Sequence, residues 1–184
     1  LFGVLMLPVL YVFIKKLFKK TDVAACATAI FAFDFMHFTQ TRIATIDSFV
    51  VLFILWSVYF MFYWMKQDYF GTKYWKTFLP LMASGVFMGL SVASKWTGCY
   101  NGIGLAVLFF VTWVWRLRQV MKARKQVRSG DFGTCSETEK QRLAGMTDRG
   151  YLKLIGTLAS CIVFFIAVPL LIYYCSYIPY FAYD

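Results

Sequence analysis

A few polar side chains of the kinds that bind phosphates and sugars interrupt an otherwise apolar chain. They are two aspartates, the only histidine, an arginine and a distant lysine: Asp34, His37, Arg42, Asp47 and Lys95. Polar groups at the edge of a hydrocarbon layer are costly, so they commonly serve a function there. The stretch 33–48, which holds four of them between two apolar runs, is therefore the first candidate for a site.

Arg42 and Lys95 are the candidate anion ligands. An arginine offers a planar fork of donors that stays charged, which suits a phosphate. Lys95 lies in a run of apolar and small residues that would let a ligand approach. Simpler interpretations remain open: Arg42 as a loop charge, Asp47 as a helix cap, and Lys95 as a lysine that reaches out of the membrane to water.

Asp34 and His37 are three positions apart, so they share one face if the helix continues through them. They could line a cavity, or they could pack between helices with each polar side chain serving as the hydrogen-bond partner of the other. Two such residues do not make a metal site, because a catalytic zinc usually has three protein ligands. The five cysteines also lack the spacing of metal ligands, so the sequence predicts no metal.

The composition indicates a membrane protein, with 60% hydrophobic, 21% aromatic and only 15% charged residues. The sequence predicts an all-α polytopic transmembrane bundle of about six spans, since several apolar runs approach the length that crosses a bilayer. The predicted spans are 1–14, 23–38, 48–65, 77–94, 96–115 and 153–175, with a loop at 116–152. Because Leu1 already lies in an apolar run, we expect residues 1–184 to be one incomplete transmembrane domain.

The positive charges alternate between the two sides of these spans. Of the 19 Lys and Arg residues, only Arg42 and Lys95 fall on one side. The positive-inside rule then predicts that the basic loops are cytoplasmic and that Arg42, Asp47 and Lys95 share the extracytoplasmic face. The net charge of +10 is thus explained by topology, with membrane lipids and not nucleic acid as the expected partner.

Two local patterns predict how the segments continue and pack. Gly85 with Gly89, and Gly98 with Gly102, have the small-xxx-small spacing that favours close helix contact. The basic run 116–128 is expected to extend the preceding span as a helix, and the stretch 129–133 is expected to end it.

The motifs around the candidate residues resemble a known family. The run Thr41-Arg-Ile-Ala-Thr-Ile-Asp47 after Asp34-Phe-Met-His-Phe, the run Gly89-Leu-Ser-Val-Ala-Ser-Lys-Trp-Thr-Gly98, and the ending Ser176-Tyr-Ile-Pro-Tyr180 resemble protein O-mannosyltransferases. The resemblance is to the GT-C-type enzymes of glycosyltransferase family 39, particularly the bacterial members. It covers most of 21–115 and the last segment.

The resemblance implies an enzyme of the bacterial plasma membrane that moves mannose, with inversion, from a polyprenyl phosphate to Ser or Thr of secreted proteins. It implies that Arg42 and Lys95 hold the donor phosphate, with Asp47 orienting Arg42 or contacting the sugar. Asp34 and His37 would support them from the preceding helix. No cofactor or metal is expected, beyond the lipid-linked sugar as donor substrate.

The family's acidic Asp-Glu pair, which includes the presumed general base, has no counterpart in this sequence. We therefore expect that pair upstream of Leu1, which leaves the catalytic residues unassigned and the segment inactive alone. Two alternatives stay open: a GT-C relative that uses another sugar or a lipid acceptor, and a non-catalytic transporter or structural membrane subunit.

Overall fold

Every described element of the protein is a helix. The computed structural model describes residues 2–43, 46–129 and 137–181. The helices are α1 (Phe2–Phe18), α2 (Thr21–Phe33), α3 (Phe35–Arg42), α4 (Asp47–Lys66), α5 (Tyr74–Ser94), α6 (Gly98–Ser129), α7 (Glu137–Ile162) and α8 (Val168–Phe181), with a π-helical turn at Val163–Ala167 between the last two. The chain is therefore a helical membrane bundle, as the sequence predicts.

Four described segments are long and apolar enough to cross a membrane, namely α4, α5, α6 and Gly150–Ile178. The number rises to five if α2 and α3, which are bent by 56°, form one broken span. About six spans were expected, and α1, which was expected to be the first of them, has 17 described residues. The assignment of individual spans stays a prediction.

The stretch predicted as a loop at 116–152 is helical wherever the structure describes it. α6 continues without a break from Gly98 to Ser129, which confirms that the basic run extends the preceding helix. α7 then begins at Glu137 and leads into the last apolar segment. Of the stretch 129–133 that was predicted to end the basic helix, Ser129 is the last residue of α6, and 130–133 lie outside the described residues.

Glycines bring α5 close to the last segment. A Cβ placed on Gly85 would lie 2.2 Å from the Phe164 carbonyl oxygen, and one on Gly89 would lie 3.0 Å from the Pro169 Cα. Gly85 faces the π-helical turn, which contains Phe164. The predicted close helix contact at this pair of glycines is confirmed.

Buried polar side chains join the central helices. Ser84 of α5 donates a hydrogen bond to the Ser57 carbonyl of α4 at 2.8 Å. Asn101 of α6 donates to the Ser57 hydroxyl at 2.7 Å. Hydrogen bonds of this kind fix the register of helices that the hydrophobic effect alone does not hold together in lipid. They fix α4, α5 and α6, whose ends carry the candidate site.

The lysine-rich loops meet at one end of the bundle. Lys66, at the end of α4, donates a hydrogen bond to the Lys16 carbonyl near the end of α1 at 2.9 Å. Asp47 begins α4, and a helix of 20 residues is about 30 Å long. The Asp47 end and the lysine-rich end are therefore separated by roughly the thickness of a hydrocarbon layer.

Two basic side chains at the lysine-rich end of the bundle are buried. Arg116 and Lys153 are 2% and 5% exposed. Lys153 donates hydrogen bonds to the carbonyls of Tyr69 and Thr72 in the α4–α5 connection. Burial raises the pKa of Tyr69 to about 12, so its hydroxyl stays protonated and donates to the Lys153 carbonyl at 2.8 Å. These bonds attach the α4–α5 connection to α7.

Candidate functional site

Asp34 separates α2 from α3 and is not part of a continuous helix. Its backbone is extended (φ −63°, ψ 124°), and its carboxylate accepts a hydrogen bond from the His37 backbone N–H at 2.9 Å. This is the geometry of an N-cap, in which an aspartate satisfies an amide that the new helix leaves free. The condition for Asp34 and His37 to share one helix face, a helix that continues through both, is therefore not met, because the aspartate starts a new helix.

His37 lies in the first turn of α3 with its ring against α2. Its ring centroid is 4.2 Å from that of Phe31, at an interplanar angle of 36°. The Thr41 hydroxyl donates to the His37 carbonyl at 2.9 Å. Thr41 in turn touches α1, because a Cβ on Gly3 would lie 2.5 Å from its Cγ2. The short helix α3 is thus held against both α1 and α2.

Asp47 and Lys95, which are far apart in the chain, form an ion pair. Lys95 Nζ lies 2.6 Å from Asp47 Oδ1, and the two side chains are 47% and 45% exposed, respectively. Asp47 is the first residue of α4, where a negative charge is favoured by the helix dipole, and the N-cap position before it is occupied by Ile46. The alternative that Asp47 serves only as a cap is therefore not supported.

A tight turn between α5 and α6 presents Lys95. Lys95 leaves α5 in an extended conformation, and its backbone N–H donates to the Ser91 carbonyl at 3.0 Å. The Gly98 N–H donates to the Lys95 carbonyl at 2.9 Å. A Cβ on Gly98 would lie 2.6 Å from the Ser91 carbonyl carbon, so only glycine lets the two helices approach this closely. The turn therefore holds the lysine at the end of both helices.

Arg42 does not join this pair. Its guanidinium carbon lies 4.8 Å from the centroid of the Phe38 ring, one turn earlier on the same helix. The expected contact between Asp47 and Arg42 is replaced by the Asp47–Lys95 pair. Arg42 is exposed at the end of α3, where a cation is favoured by the dipole of its own helix.

A cavity of about 360 Å³ opens beside Asp47. Its lining residues come from α1 to α4: Met6, Phe31, Asp34, Met36, His37, Gln40, Thr41, Asp47, Ser48 and Val51. Three of the five sequence-predicted residues, Asp34, His37 and Asp47, therefore share this cavity. Lys95 joins them through its ion pair with Asp47, whereas Arg42 is not part of the lining.

A comparison with known protein families identifies the chain. The model of one family, described as dolichyl-phosphate-mannose-protein mannosyltransferase, matches residues 1–182. The chain belongs to this family. It is accordingly a member of a family of membrane mannosyltransferases, which agrees with its apolar helices and with the resemblance in its motifs.

A curated relative gives a weaker match. Dolichyl-phosphate-mannose–protein mannosyltransferase 4 of Saccharomyces cerevisiae is 25% identical over 120 residues, which cover 64% of this chain. The matched region spans only 15% of the yeast protein's length. No solved structure matches this chain significantly.

In this member of the mannosyltransferase family, an aromatic residue of α8 contacts Trp96, which directly follows Lys95. The Trp96 indole N–H donates to the Tyr173 hydroxyl at 3.3 Å, and the two rings meet edge to face with centroids 6.0 Å apart. Tyr173 then contacts Tyr177, with hydroxyls 3.2 Å apart. The sequence analysis did not identify Trp96 as a residue of the site. A tryptophan directly after the unusual lysine was the available signal.

The candidate site therefore contains one cation, two carboxylates and an imidazole at one end of the bundle. Lys95 supplies a point charge with three donors, which suits a phosphate oxygen. Asp47 fixes the position of that charge, and both remain about half exposed. Among the described residues, no three His, Cys, Asp or Glu side chains are grouped so that they could hold a metal ion.

The Asp47–Lys95 pair is expected to add little to the stability of this mannosyltransferase domain. Pairs this exposed typically contribute about 1 kcal/mol or less, because water screens both charges. The Asp47→Asn variant should therefore unfold within a few degrees of the unmodified protein when thermal unfolding is followed in detergent. A large drop in its unfolding temperature would mean that the pair holds the fold together and is not kept for binding.

Proposed function

We propose that this segment forms the donor-phosphate region of a membrane enzyme that transfers mannose from a polyprenyl phosphate to Ser or Thr hydroxyls of proteins. The observation that carries this proposal is the Asp47–Lys95 ion pair beside the cavity of Asp34 and His37. The ion pair lies at the end of the bundle that is remote from the lysine-rich loops. The positive-inside rule assigns those loops to the cytoplasm and therefore assigns the end with the ion pair to the extracytoplasmic face.

Lys95 acts on the leaving group in this reaction. The acceptor hydroxyl oxygen attacks C1 of mannose, and the bond between C1 and the phosphate oxygen breaks. The electron pair stays on the polyprenyl phosphate, so its negative charge grows as the sugar departs. A cation already held in place stabilises that charge in the transition state without reorganising water. The hydroxyl proton passes to a general base, which the family resemblance places outside this sequence.

Asp47 is a positioning residue in this account. It holds Lys95 at 2.6 Å before the donor arrives, and one of its oxygens can remain bound while another lysine proton turns to the phosphate. Asp34 and His37 line the cavity next to it, at a place where sugar hydroxyls can meet a carboxylate and an imidazole. Arg42 is retained only as a residue near the mouth of the site, because its side chain rests on Phe38.

An apolar groove between α1 and α4 offers a place for the polyprenyl chain. It has a volume of about 390 Å³ and is lined by Leu5, Pro8, Val9, Val12, Leu52, Trp56 and Tyr59. Met6 and Val51, which neighbour this lining in sequence, belong to the polar cavity beside Asp47. Both linings draw on the same stretches of α1 and α4, and we infer that a phosphate near Lys95 directs its hydrocarbon tail along these two helices.

The function is tested with the full-length protein in detergent or liposomes. Polyprenyl-phosphate [³H]mannose is supplied with an acceptor peptide that contains Ser and Thr, and with the same peptide carrying Ala at those positions. We expect label in the first peptide only. Transfer of label to lipid would instead favour a relative with a lipid acceptor. No covalent transfer to any acceptor, together with donor movement across the bilayer, would favour a transporter.

A further inference from the structure

A buried arginine at the lysine-rich end has an unused donor. The Arg116 guanidinium lies between the rings of Trp64 and Tyr69, at 4.0 and 4.2 Å from their centroids. Its Nη2 donates to the carbonyls of Trp64 and Met65 at 2.8 and 3.3 Å, which satisfies the end of α4. Its Nη1 has no acceptor among the described residues. A buried, unpaired charged donor is costly, so it calls for a partner.

Arg116 lines a cavity with a strongly basic rim. This cavity has a volume of about 640 Å³ and lies between the α4–α5 connection and α6. Its lining carries three cations, Lys66, Arg116 and Lys122, against one carboxylate, Asp68. The excess of positive charge favours an anionic ligand.

The same cavity also holds an unused acceptor. Gln67 donates its side-chain amide to the Lys76 carbonyl at 2.9 Å, but its Oε1 is buried and has no donor among the residues that the structure describes. A complementary ligand therefore needs both an anionic oxygen for Arg116 and a hydroxyl for Gln67. A phosphate that carries a polyol meets both needs.

The position of the cavity favours a lipid as the source of that phosphate. Trp115 lines it, on the helix that also carries Trp113. Tryptophans concentrate where hydrocarbon meets the headgroups. Lys66 is already bonded to the Lys16 carbonyl, whereas Lys122 is exposed at the rim. Lys122 is thus the cation that is best placed to meet a headgroup entering from the membrane surface.

We propose that this cavity binds the headgroup of an anionic phospholipid that combines a phosphate with hydroxyl groups. The phosphate meets Arg116 and Lys122, and a headgroup hydroxyl donates to Gln67. The site lies at the opposite end of α4 from Lys95, and it does not depend on the proposed transfer reaction.

The test measures binding of short-chain lipids to the purified full-length protein by titration calorimetry. Dioctanoyl phosphatidylglycerol is compared with dioctanoyl phosphatidylcholine, which lacks both the net charge and the hydroxyls. We expect the first lipid to bind at least tenfold more tightly. Lys122→Gln should weaken its binding by about fivefold, the effect of one basic residue near an anionic lipid.

Two further variants make this test specific. Lys125→Gln removes one charge from the same exposed helix outside the cavity lining, so it should leave the affinity unchanged. Gln67→Met removes the acceptor, so it should reduce the preference for phosphatidylglycerol over dioctanoyl phosphatidic acid, which has no headgroup hydroxyl. Arg116 is left intact, because its substitution could unfold the end of α4.

The proposal is overturned if Lys122→Gln and Lys125→Gln weaken binding equally, since that result means a diffuse charge effect. Equal affinity for dioctanoyl phosphatidylglycerol and dioctanoyl phosphatidylcholine overturns the proposal as well. If glycerol 3-phosphate alone binds as tightly and with the same dependence on Lys122, the site takes a soluble phosphate ester and the lipid assignment is wrong.

Discussion

Replacing Lys95 by Ala is expected to slow mannose transfer by about 100-fold in the full-length protein, the usual effect of removing one fixed donor from a developing oxyanion. Lys95 is paired with Asp47, which lines the polar cavity, and this is the only ion pair of Lys95 among the described residues. Its loss leaves the departing phosphate without this compensating charge. The measurement is the initial rate of label transfer from polyprenyl-phosphate [³H]mannose to an acceptor peptide.

A matched control separates this effect from a general loss of positive charge. Lys76→Ala removes an exposed lysine at the opposite end of α5, near the lysine-rich loops. It should transfer mannose at close to the normal rate. Lys95→Arg keeps the charge but changes the shape of the charged group. Its rate of mannose transfer should therefore lie between the rates of Lys95→Ala and Lys76→Ala. Equal rates for the alanine variants at positions 95 and 76 would show that Lys95 takes no part in the reaction.

Replacing Gly85 by Ala is expected to destabilise the protein by about 1–3 kcal/mol, the usual cost of overpacking. The added methyl carbon would lie 2.2 Å from the Phe164 carbonyl oxygen and 2.8 Å from its carbonyl carbon. Both atoms belong to the backbone, so no rotamer change can relieve the contact, and α5 must move away from the π-helical turn. The measurement is the unfolding temperature in detergent.

Gly104 provides the control for this substitution. A Cβ on Gly104, which is also a glycine within a helix, would meet no atom within 4 Å apart from the adjacent backbone of its own helix. Gly104→Ala should therefore be neutral, or stabilising by up to about 1 kcal/mol because alanine favours the helix. If the two alanine variants unfolded at the same temperature, the close contact between α5 and the π-helical turn would be contradicted.

The sequence predicted the features that depend on regular spacing. Apolar runs located the long helices, and the glycines at positions 85 and 89 located a close helix contact that the structure confirms. The basic run after residue 115 was correctly expected to continue its helix. Each of these features depends on the helical period or on residue size, which are both visible in a linear sequence.

The features that the sequence could not supply depend on which distant groups meet. Asp34 could equally have remained within a helix, and only the 56° bend makes it a cap. The partner of Asp47 could have been Arg42, five residues away, but the turn after α5 brings Lys95 closer. The burial of Arg116 was also hidden, because its shielding rings belong to the α4 end and the following connection.

The most direct test of the central claim is the affinity of the full-length protein for polyprenyl phosphate, the leaving group without its sugar. We predict that Lys95→Ala raises the dissociation constant by about tenfold or more, as expected for the loss of a hydrogen bond to a charged group. Lys76→Ala should leave that constant unchanged. An unchanged dissociation constant in the Lys95→Ala variant would contradict the assignment of Lys95 to the donor phosphate.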